Sequence, residues 1–375
     1  MKKIQMVDLV TQYEKIKDEV DQATQNVFQT AQFINGPEVK SFQTELEDYL
    51  GVKHVIPCAN GTDALQIALM ALGLEPGDEV ITSDFTFAAT VEVIGLLKLQ
   101  PVLVDVDRDT FNISIAEIEK AITPKTKAII PVHLFGQCSN MDAIMALAKK
   151  HNIAVVEDTA QGIGAIHTSA DGTKRAAGTI GDIGTTSFFP SKNLGCFGDG
   201  GAIFTNNDEL AVILRSIVNH GMGKRYYYDR LGVNSRLDSV QAAVLRIKLR
   251  HLDDYIDARQ KAAAYYSEFF KDDNRVETPK IADYSTHVFH QYTLKIKGLD
   301  QFGLQEYLKS KDIPAMIYYP VPLHTQKAYG ADEYNHDDFP VTNELCECVI
   351  SLPMHTELSE EQLSYICESV KSYLK

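Results

Sequence analysis

Short apolar runs alternate with helical patterns through the first two thirds of the chain. Runs rich in β-branched or aromatic side chains predict strands at residues 53–58, 79–82, 101–105, 127–132, 153–157, 185–189 and 202–205. Apolar residues at helical spacing predict helices at residues 61–72, 87–98, 114–122 and 141–151. Alternation at this pace predicts an α/β fold, with a largely parallel sheet and helices on both of its faces.

The last third of the chain has a different pattern. A long helical stretch runs from about residue 237 to residue 270 with few breakers, and we interpret it as a link between two domains. A strand at 292–296, helices near 301–311 and 341–348, and a final helix from 359 predict a smaller α+β domain. We therefore predict a large domain over residues 1–245, including an N-terminal arm, and a small C-terminal domain over residues 246–375.

Composition and charge narrow the class of protein. The 375 residues are 45% hydrophobic and 23% charged, which excludes global disorder and fibrous repeats. The net charge of −15 favours neither nucleic acid nor anionic membrane as a partner. The amino terminus lacks an apolar signal core and no stretch approaches about 20 apolar residues, so we predict a cytoplasmic protein. Of six cysteines only Cys346 and Cys348 are close together, so we predict no metal site and no disulfide framework.

Three segments that follow predicted strands carry candidate chemistry, because parallel sheets bind ligands beyond the carboxyl ends of their strands. The run Ala59-Asn60-Gly61-Thr62-Asp63-Ala64 opens a helix, where free backbone N–H groups favour a phosphate or carboxylate. The alternative is that Asn60 or Thr62 only caps the helix. Asp158 ends an apolar strand and needs a cation or hydrogen-bond donors if it is buried. The alternative is a capping aspartate.

The third segment contains Lys192, between Ser191 and a glycine-rich loop that includes Gly195. A desolvated lysine loses proton affinity and becomes an amine suited to Schiff-base chemistry. The alternative is a solvated loop lysine. Taken together, an anion cradle, a strand-end aspartate and such a lysine are what pyridoxal 5′-phosphate requires. The helix start would take the phosphate, Asp158 the pyridine nitrogen and Lys192 the aldehyde.

The sequence resembles the DegT/DnrJ/EryC1/StrS family of nucleotide-sugar aminotransferases, which are fold-type I pyridoxal-phosphate enzymes. The resemblance implies a mostly parallel seven-stranded sheet sandwiched by helices, with a smaller C-terminal α+β domain. The matching segments span nearly the whole chain and include Asn35-Gly36-Pro37-Glu38, residues 59–64, Phe85-Thr86-Phe87, residues 132–137, Glu157-Asp158-Thr159-Ala160-Gln161, residues 187–192, Gly200-Gly201, residues 232–238 and residues 319–324.

The resemblance implies a role for each matching residue. Lys192 matches the Schiff-base lysine that also shuttles protons, Asp158 the partner of the pyridine nitrogen, and Gln161 the residue near the ring oxygen. Phe87 matches the aromatic residue that stacks on the cofactor ring, and the phosphate cradle is matched by Gly61, Thr62 and Ser187. Asn234 matches an asparagine that reaches the phosphate from the other subunit of a homodimer. Substrate-side positions are Arg236, Tyr318, Tyr319 and His324. For Arg236 an alternative is pairing with Asp238, and for Tyr319 a half-buried tyrosine in a proline-rich connection.

The implied reaction is amino transfer from glutamate to a nucleotide-linked keto-sugar, since related dehydratases carry His where this chain has Lys192. The resemblance is greatest to members acting on UDP-2-acetamido-2-deoxy-3-keto-hexuronate for bacterial surface polysaccharide, although Tyr318 stands where those members lead us to expect His. The alternatives are a 3-keto-6-deoxy or 4-keto sugar on dTDP, UDP or GDP, a regulatory protein of this fold, and an inactive scaffold. We also interpret the basic and aromatic run from Lys224 to Tyr228 as a loop that closes over the nucleotide; the alternative is a mobile surface segment.

Overall fold

The computed structural model describes residues 2–374. Its helices are α1 Leu9–Thr30, α2 Pro37–Leu50, α3 Gly61–Ala71, α4 Ala89–Leu96, α5 Ile115–Ala121, α6 Met141–His151, α7 Asp208–Ile217, α8 Ser239–Arg250, α9 Leu252–Phe270, α10 Gln301–Lys309, α11 Pro340–Cys348 and α12 Glu360–Leu374. Over the described range, none of the helices combines the length and apolar character needed to cross a membrane.

The strands are β1 His54–Cys58, β2 Glu79–Ser83, β3 Gln100–Val104, β4 Thr126–Ile130, β5 Ala154–Asp158, β6 Ile166–Thr168, β7 Lys174–Ala176, β8 Ile183–Ser187, β9 Gly201–Thr205, β10 Met222–Lys224, β11 Tyr227–Tyr228, β12 Val276–Glu277, β13 Tyr292–Ile296 and β14 Val349–Leu352. Seven of them form one large sheet, in the order β1-β9-β8-β5-β4-β2-β3. The prediction of seven strands is confirmed, with boundaries shifted by one or two residues.

The large sheet is parallel except for one strand. β3, β2, β4, β5 and β8 pair in parallel, and only β9 runs antiparallel to its neighbours β8 and β1. The carboxyl ends of β2, β5 and β8 therefore meet at one edge of the sheet. This edge is where ligands bind in open α/β sheets.

Helices cover both faces of the large sheet, as the apolar spacing predicts. On one face, α3 buries Leu65, Ala68 and Leu69 against strand residues such as Ile203. On the other face, α2 and α8 pack with Phe42, Leu46 and other residues around Phe188. Burying side chains of this size stabilises the fold by about 1.5–3 kcal/mol each.

The prediction of one long helix is wrong in one respect. The segment forms two helices, α8 and α9, with a break at His251. There φ is −101° and ψ is 2°, which lies outside the α-helical region. Leu249 and Leu252, on either side of the break, both pack into the large-domain core. The break redirects the chain, so that Tyr266 and Phe270 at the far end of α9 reach the core of the second unit.

The second unit has its own core around the antiparallel sheet β12-β13-β14, with α10 and α12 packed against it. Tyr266 and Tyr292 are fully buried there, with ring centroids 4.9 Å apart. The boundary at residue 245 stays a prediction. Residues 9–50, for which the sequence suggested only an N-terminal arm, form the two helices α1 and α2.

Candidate active site

A cavity of about 730 Å³ opens at the carboxyl ends of β5 and β8, beside the start of α3. Nine of the predicted site residues line it: Gly61, Thr62, Phe87, Asp158, Gln161, Ser187, Lys192, Tyr318 and Tyr319. The tertiary structure therefore gathers at one edge of the sheet residues that lie up to 258 positions apart, between Gly61 and Tyr319. The cavity also has polar lining residues that the sequence analysis did not single out as ligand-binding: Asn60, Asp63, Thr86, Glu92, Ser191, Asp199, His290 and Gln291.

The start of α3 is held tightly against β8 and β9. A Cβ atom on Gly61 would lie 2.7 Å from the Cβ of Ser187, and one on Gly201 would lie 2.4 Å from the carbonyl oxygen of Asn60. Only glycine permits this approach. The Asn60 side chain caps the helix by accepting a hydrogen bond from the Asp63 amide (2.8 Å). Capping by Asn60 and the binding of an anion at the start of α3 are thus compatible in the same helical turn.

Asp158 presents a buried carboxylate to the cavity from the end of β5. Its Oδ2 accepts a hydrogen bond from the hydroxyl of Thr90 (2.9 Å), and its Oδ1 accepts one from the amide of Ala160 (3.1 Å). Its backbone is fixed as well, because the amide donates to Pro131 and the carbonyl accepts from the His133 amide (2.9 and 3.0 Å). The carboxylate is therefore positioned before any ligand binds.

Lys192 lies in the loop after β8 with its side chain half-buried in the same cavity. Burial lowers the pKa of its amine to about 8, and the negative charge of Asp158 opposes that shift. Roughly a tenth of the amines are neutral at pH 7 with such a pKa, which is a few hundred times more than for an exposed lysine. The amine is thus prepared to act as a nucleophile and as a base.

We expect apoprotein to bind pyridoxal phosphate covalently at a rate that rises with pH and levels off above about pH 8. The neutral amine is the reactive form, and the lowered pKa places its titration in this range. Stopped-flow absorption at the Schiff-base band, recorded from pH 6 to 10, measures the midpoint. A midpoint near 10.5, the ordinary value for lysine, contradicts the environment described here.

The orientation of the Gln161 amide is fixed by its partners. Its Oε1 accepts a hydrogen bond from the Phe135 amide (2.9 Å), so its Nε2 is the atom that donates to the Tyr319 hydroxyl oxygen (3.1 Å). Burial raises the pKa of Tyr319 above its usual range, so the phenol stays protonated. Because Tyr319 accepts from Gln161, its own O–H is free to donate to a ligand in the cavity.

Three predicted residues do not line the cavity of this chain. Asn234 is exposed and Arg236 is half-buried in the segment before α8. His324 is buried, with its Nδ1 2.7 Å from Oδ2 of Asp84 and its Nε2 3.0 Å from Nδ1 of His336. His324 therefore anchors the segment that follows Tyr319 to the end of β2.

The predicted loop over the nucleotide forms the exposed hairpin β10–β11, which is not part of the cavity wall in this chain. The cationic groups of Lys224 and Arg225 lie over the rings of Tyr227 and Tyr226, at 5.6 and 5.1 Å from the ring centroids. Its closure over a nucleotide stays a prediction.

Behind Asp158, its neighbour Glu157 is fully buried on the other side of β5. The Glu157 carboxylate accepts hydrogen bonds from His133 Nε2 (2.8 Å) and from the amides of Gly178, Ile180 and Gly181 (2.9, 2.6 and 2.6 Å). Burial alone would raise the pKa of Glu157, but these donors lower it below its usual value. The hydrogen bonds between Glu157 and these donors fix the end of β5, which carries Asp158.

Residues 14–371 match the DegT/DnrJ/EryC1/StrS aminotransferase family. The chain belongs to this family. It is a sugar aminotransferase of fold-type I, and its cofactor is pyridoxal phosphate. The resemblance seen in the sequence is confirmed.

Three relatives resemble the chain over almost its full length. A pleiotropic regulatory protein of Geobacillus stearothermophilus is 45% identical over 99% of both chains. The UDP-2-acetamido-2-deoxy-3-oxo-D-glucuronate aminotransferase of Pseudomonas aeruginosa is 46% identical over 98% of this chain and 99% of its own. The UDP-N-acetyl-3-dehydro-alpha-D-glucosamine 3-aminotransferase of Acidithiobacillus ferrooxidans is 44% identical over 99% of this chain and 98% of its own.

The cavity fits the cofactor on independent structural grounds. The close approach at Gly61 leaves backbone N–H groups of the α3 start available to a phosphate. The hydroxyl of Thr86 on the cavity wall is buried and has no hydrogen-bond partner among the described residues, as expected for a group that meets a polar ligand. When bound, pyridoxal phosphate supplies an aldehyde and an electron-accepting ring.

With the cofactor bound, these residues would have distinct tasks. The α3 start and Ser187 would hold the phosphate, the exposed ring of Phe87 would offer an aromatic face, and Asp158 would accept a hydrogen bond from the ring nitrogen, as the sequence predicts. Gln161 donates a hydrogen bond from its fixed amide. Lys192 would hold the aldehyde, and its amine would accept and return a proton at Nζ.

Proposed function

We propose that the chain transfers the amino group of glutamate to C3 of UDP-2-acetamido-2-deoxy-3-keto-hexuronate. The relatives from Pseudomonas and Acidithiobacillus support a UDP-linked 3-oxo sugar, since both are named for such substrates at 46% and 44% identity. The observation that carries the proposed reaction is the arrangement of Lys192 and Asp158 in one cavity. It provides the amine and the carboxylate that amino transfer requires.

We further propose that the active site is shared between two copies of the chain. Lys192 is the only Lys or Arg among the residues that line the cavity, whereas Asp63, Glu92 and Asp199 add negative charge. A nucleotide diphosphate and a uronate need additional cations. Arg236 and Asn234, which lie outside the cavity of their own chain, are the proposed contributors from the second copy of a homodimer.

The substrate is tested with a panel of keto-sugar nucleotides and glutamate, with products identified by mass spectrometry. The panel contains the UDP-3-keto-hexuronate, its neutral analogue with a hydroxymethyl group at C5, and a dTDP-linked 3-keto-6-deoxy sugar. We expect the uronate to give the highest kcat/KM. A higher value for the neutral sugar shifts the assignment to the glucosamine series, and turnover of the 6-deoxy sugar alone overturns it.

The regulatory relative favours a second candidate, namely a role in gene control. The arrangement of Lys192 and Asp158 in one cavity favours catalysis instead. Loss of the visible absorption of the holoprotein on adding glutamate, with release of 2-oxoglutarate, is the result expected for an enzyme. The use of the product in surface polysaccharide and the cytoplasmic location stay predictions.

A further inference from the structure

The carboxylate of Asp158 has a partner outside its own strand that no assigned role explains. Thr90, the second residue of α4, donates its hydroxyl hydrogen to Oδ2 of Asp158 (2.9 Å). Both side chains are almost completely buried. An ionised carboxylate only accepts hydrogen bonds, so the hydroxyl of Thr90 must be the donor in this pair.

Thr90 is also connected to the aromatic residue of the cavity. Its backbone amide donates to the carbonyl oxygen of Phe87 (3.4 Å), which closes the turn leading into α4. Thr90 therefore contacts two residues that line the cavity. It contacts Phe87 through its backbone and Asp158 through its side chain. The two contacts join the loop after β2 to the end of β5.

We propose that Thr90 is a positioning residue, which sets the orientation of the Asp158 carboxylate toward the cofactor ring. The Ala160 amide holds Oδ1 and Thr90 holds Oδ2, so the carboxylate cannot rotate about its last bond without breaking one of these hydrogen bonds. The proposal rests on the cofactor of the family and is independent of which sugar is used.

The decisive variant is Thr90→Val, which keeps the shape of the side chain and removes the hydroxyl. A hydrogen bond to a charged group contributes enough to change an equilibrium or rate constant by about 10-fold or more. We expect the dissociation constant of pyridoxal phosphate to rise by about that factor when the cofactor is titrated into apoprotein. We also expect kcat to fall while KM for the amino donor changes little, because Thr90 is not among the residues that line the cavity.

Two further variants separate positioning from folding. Thr90→Ser retains the hydroxyl and should restore both the affinity for the cofactor and its visible spectrum. Thr82→Val is the matched control, since Thr82 is equally buried and its hydroxyl donates to the carbonyl oxygen of Ile130 (2.8 Å), away from Asp158. It should lower the unfolding temperature about as much as Thr90→Val and leave cofactor binding unchanged.

The proposal is overturned if Thr90→Val binds cofactor and turns over within two-fold of the natural protein. It is also overturned if Thr90→Ser is as impaired as Thr90→Val, or if Thr82→Val weakens cofactor binding equally. Should Thr90→Val fail to fold, Thr90→Ala compared with Thr90→Ser gives the same test. Cofactor titration needs no sugar, so a wrong substrate assignment leaves its result unaffected.

Discussion

The Lys192→Ala variant is expected to lose transaminase activity by at least about 10²–10⁴-fold, the usual contribution of a positioned acid–base group. Among residues 2–374, Lys192 is the only lysine or arginine that lines the cavity, and its lowered pKa makes the amine available at neutral pH. Without it, neither the bond to the aldehyde nor the proton transfer at Nζ has a substitute. Steady-state release of 2-oxoglutarate from glutamate, with the keto-sugar nucleotide present as amino acceptor, measures the loss.

The matched control for this prediction is Lys248→Ala. Lys248 is also buried and its pKa is also lowered to about 8 by burial, but it lies outside the cavity, with its amine 5.5 Å from the ring centroid of Phe197. That variant should be less stable and retain the kcat of the folded protein. Borohydride reduction of the natural holoprotein should label Lys192 alone. Comparable turnover by Lys192→Ala, or a label at another lysine, would refute the assignment.

The Glu157→Gln variant is expected to lower the free energy of unfolding by about 3 kcal/mol, because buried donors lose the acceptor that they need. Four donors converge on the Glu157 carboxylate, and the three backbone amides among them cannot move away. The side-chain amide of glutamine at position 157 would direct its own N–H groups at these four donors, which need an acceptor. Urea denaturation of the apoprotein, followed by circular dichroism, measures the change.

The control for Glu157 is Glu306→Gln, which removes the exposed pair with Lys309 (3.2 Å). Exposed pairs contribute between zero and about 1 kcal/mol, so this variant should differ little from the natural protein. A loss below about 1 kcal/mol for Glu157→Gln would show that the four hydrogen bonds do not stabilise the strand end as described.

The lowered pKa of Glu157 also gives the stability a pH dependence. The folded protein binds the proton at Glu157 more weakly than the unfolded chain does, so stability falls as the pH drops. The contribution of Glu157 is complete above its unfolded pKa, near 4.5, and is lost as the pH falls through the lower folded value. Glu157→Gln should therefore flatten the acid side of the stability curve.

The sequence determined those features that have a local physical signal. Apolar runs identified the seven strands of the large sheet, because a buried parallel strand needs apolar residues on both faces. Asp158 and Lys192 stood out because each is a charged residue at or just after an apolar strand. Gly61 stood out as a glycine at the start of a helix, and the family resemblance implied what these three residues bind.

Features that depend on residues far apart in the chain were decided only by the tertiary structure. The break at His251 follows from the packing of Leu249 and Leu252 into one core, whereas the local pattern favoured a continuous helix. The burial of His324 depends on Asp84, which is 240 residues away in sequence. A local pattern contains no information about such a partner.

Thr90 is the clearest case of this limit. It lies three residues after Phe87 in a helix that the sequence predicted, yet nothing near it indicates that its hydroxyl meets Asp158, 68 residues further along. The sequence by itself determined the types of residue that the chemistry needs and the strands that carry them. Only the tertiary structure decided which neighbours fix their charge and orientation, because hydrogen bonds between distant residues form when the sheet brings the strand ends together.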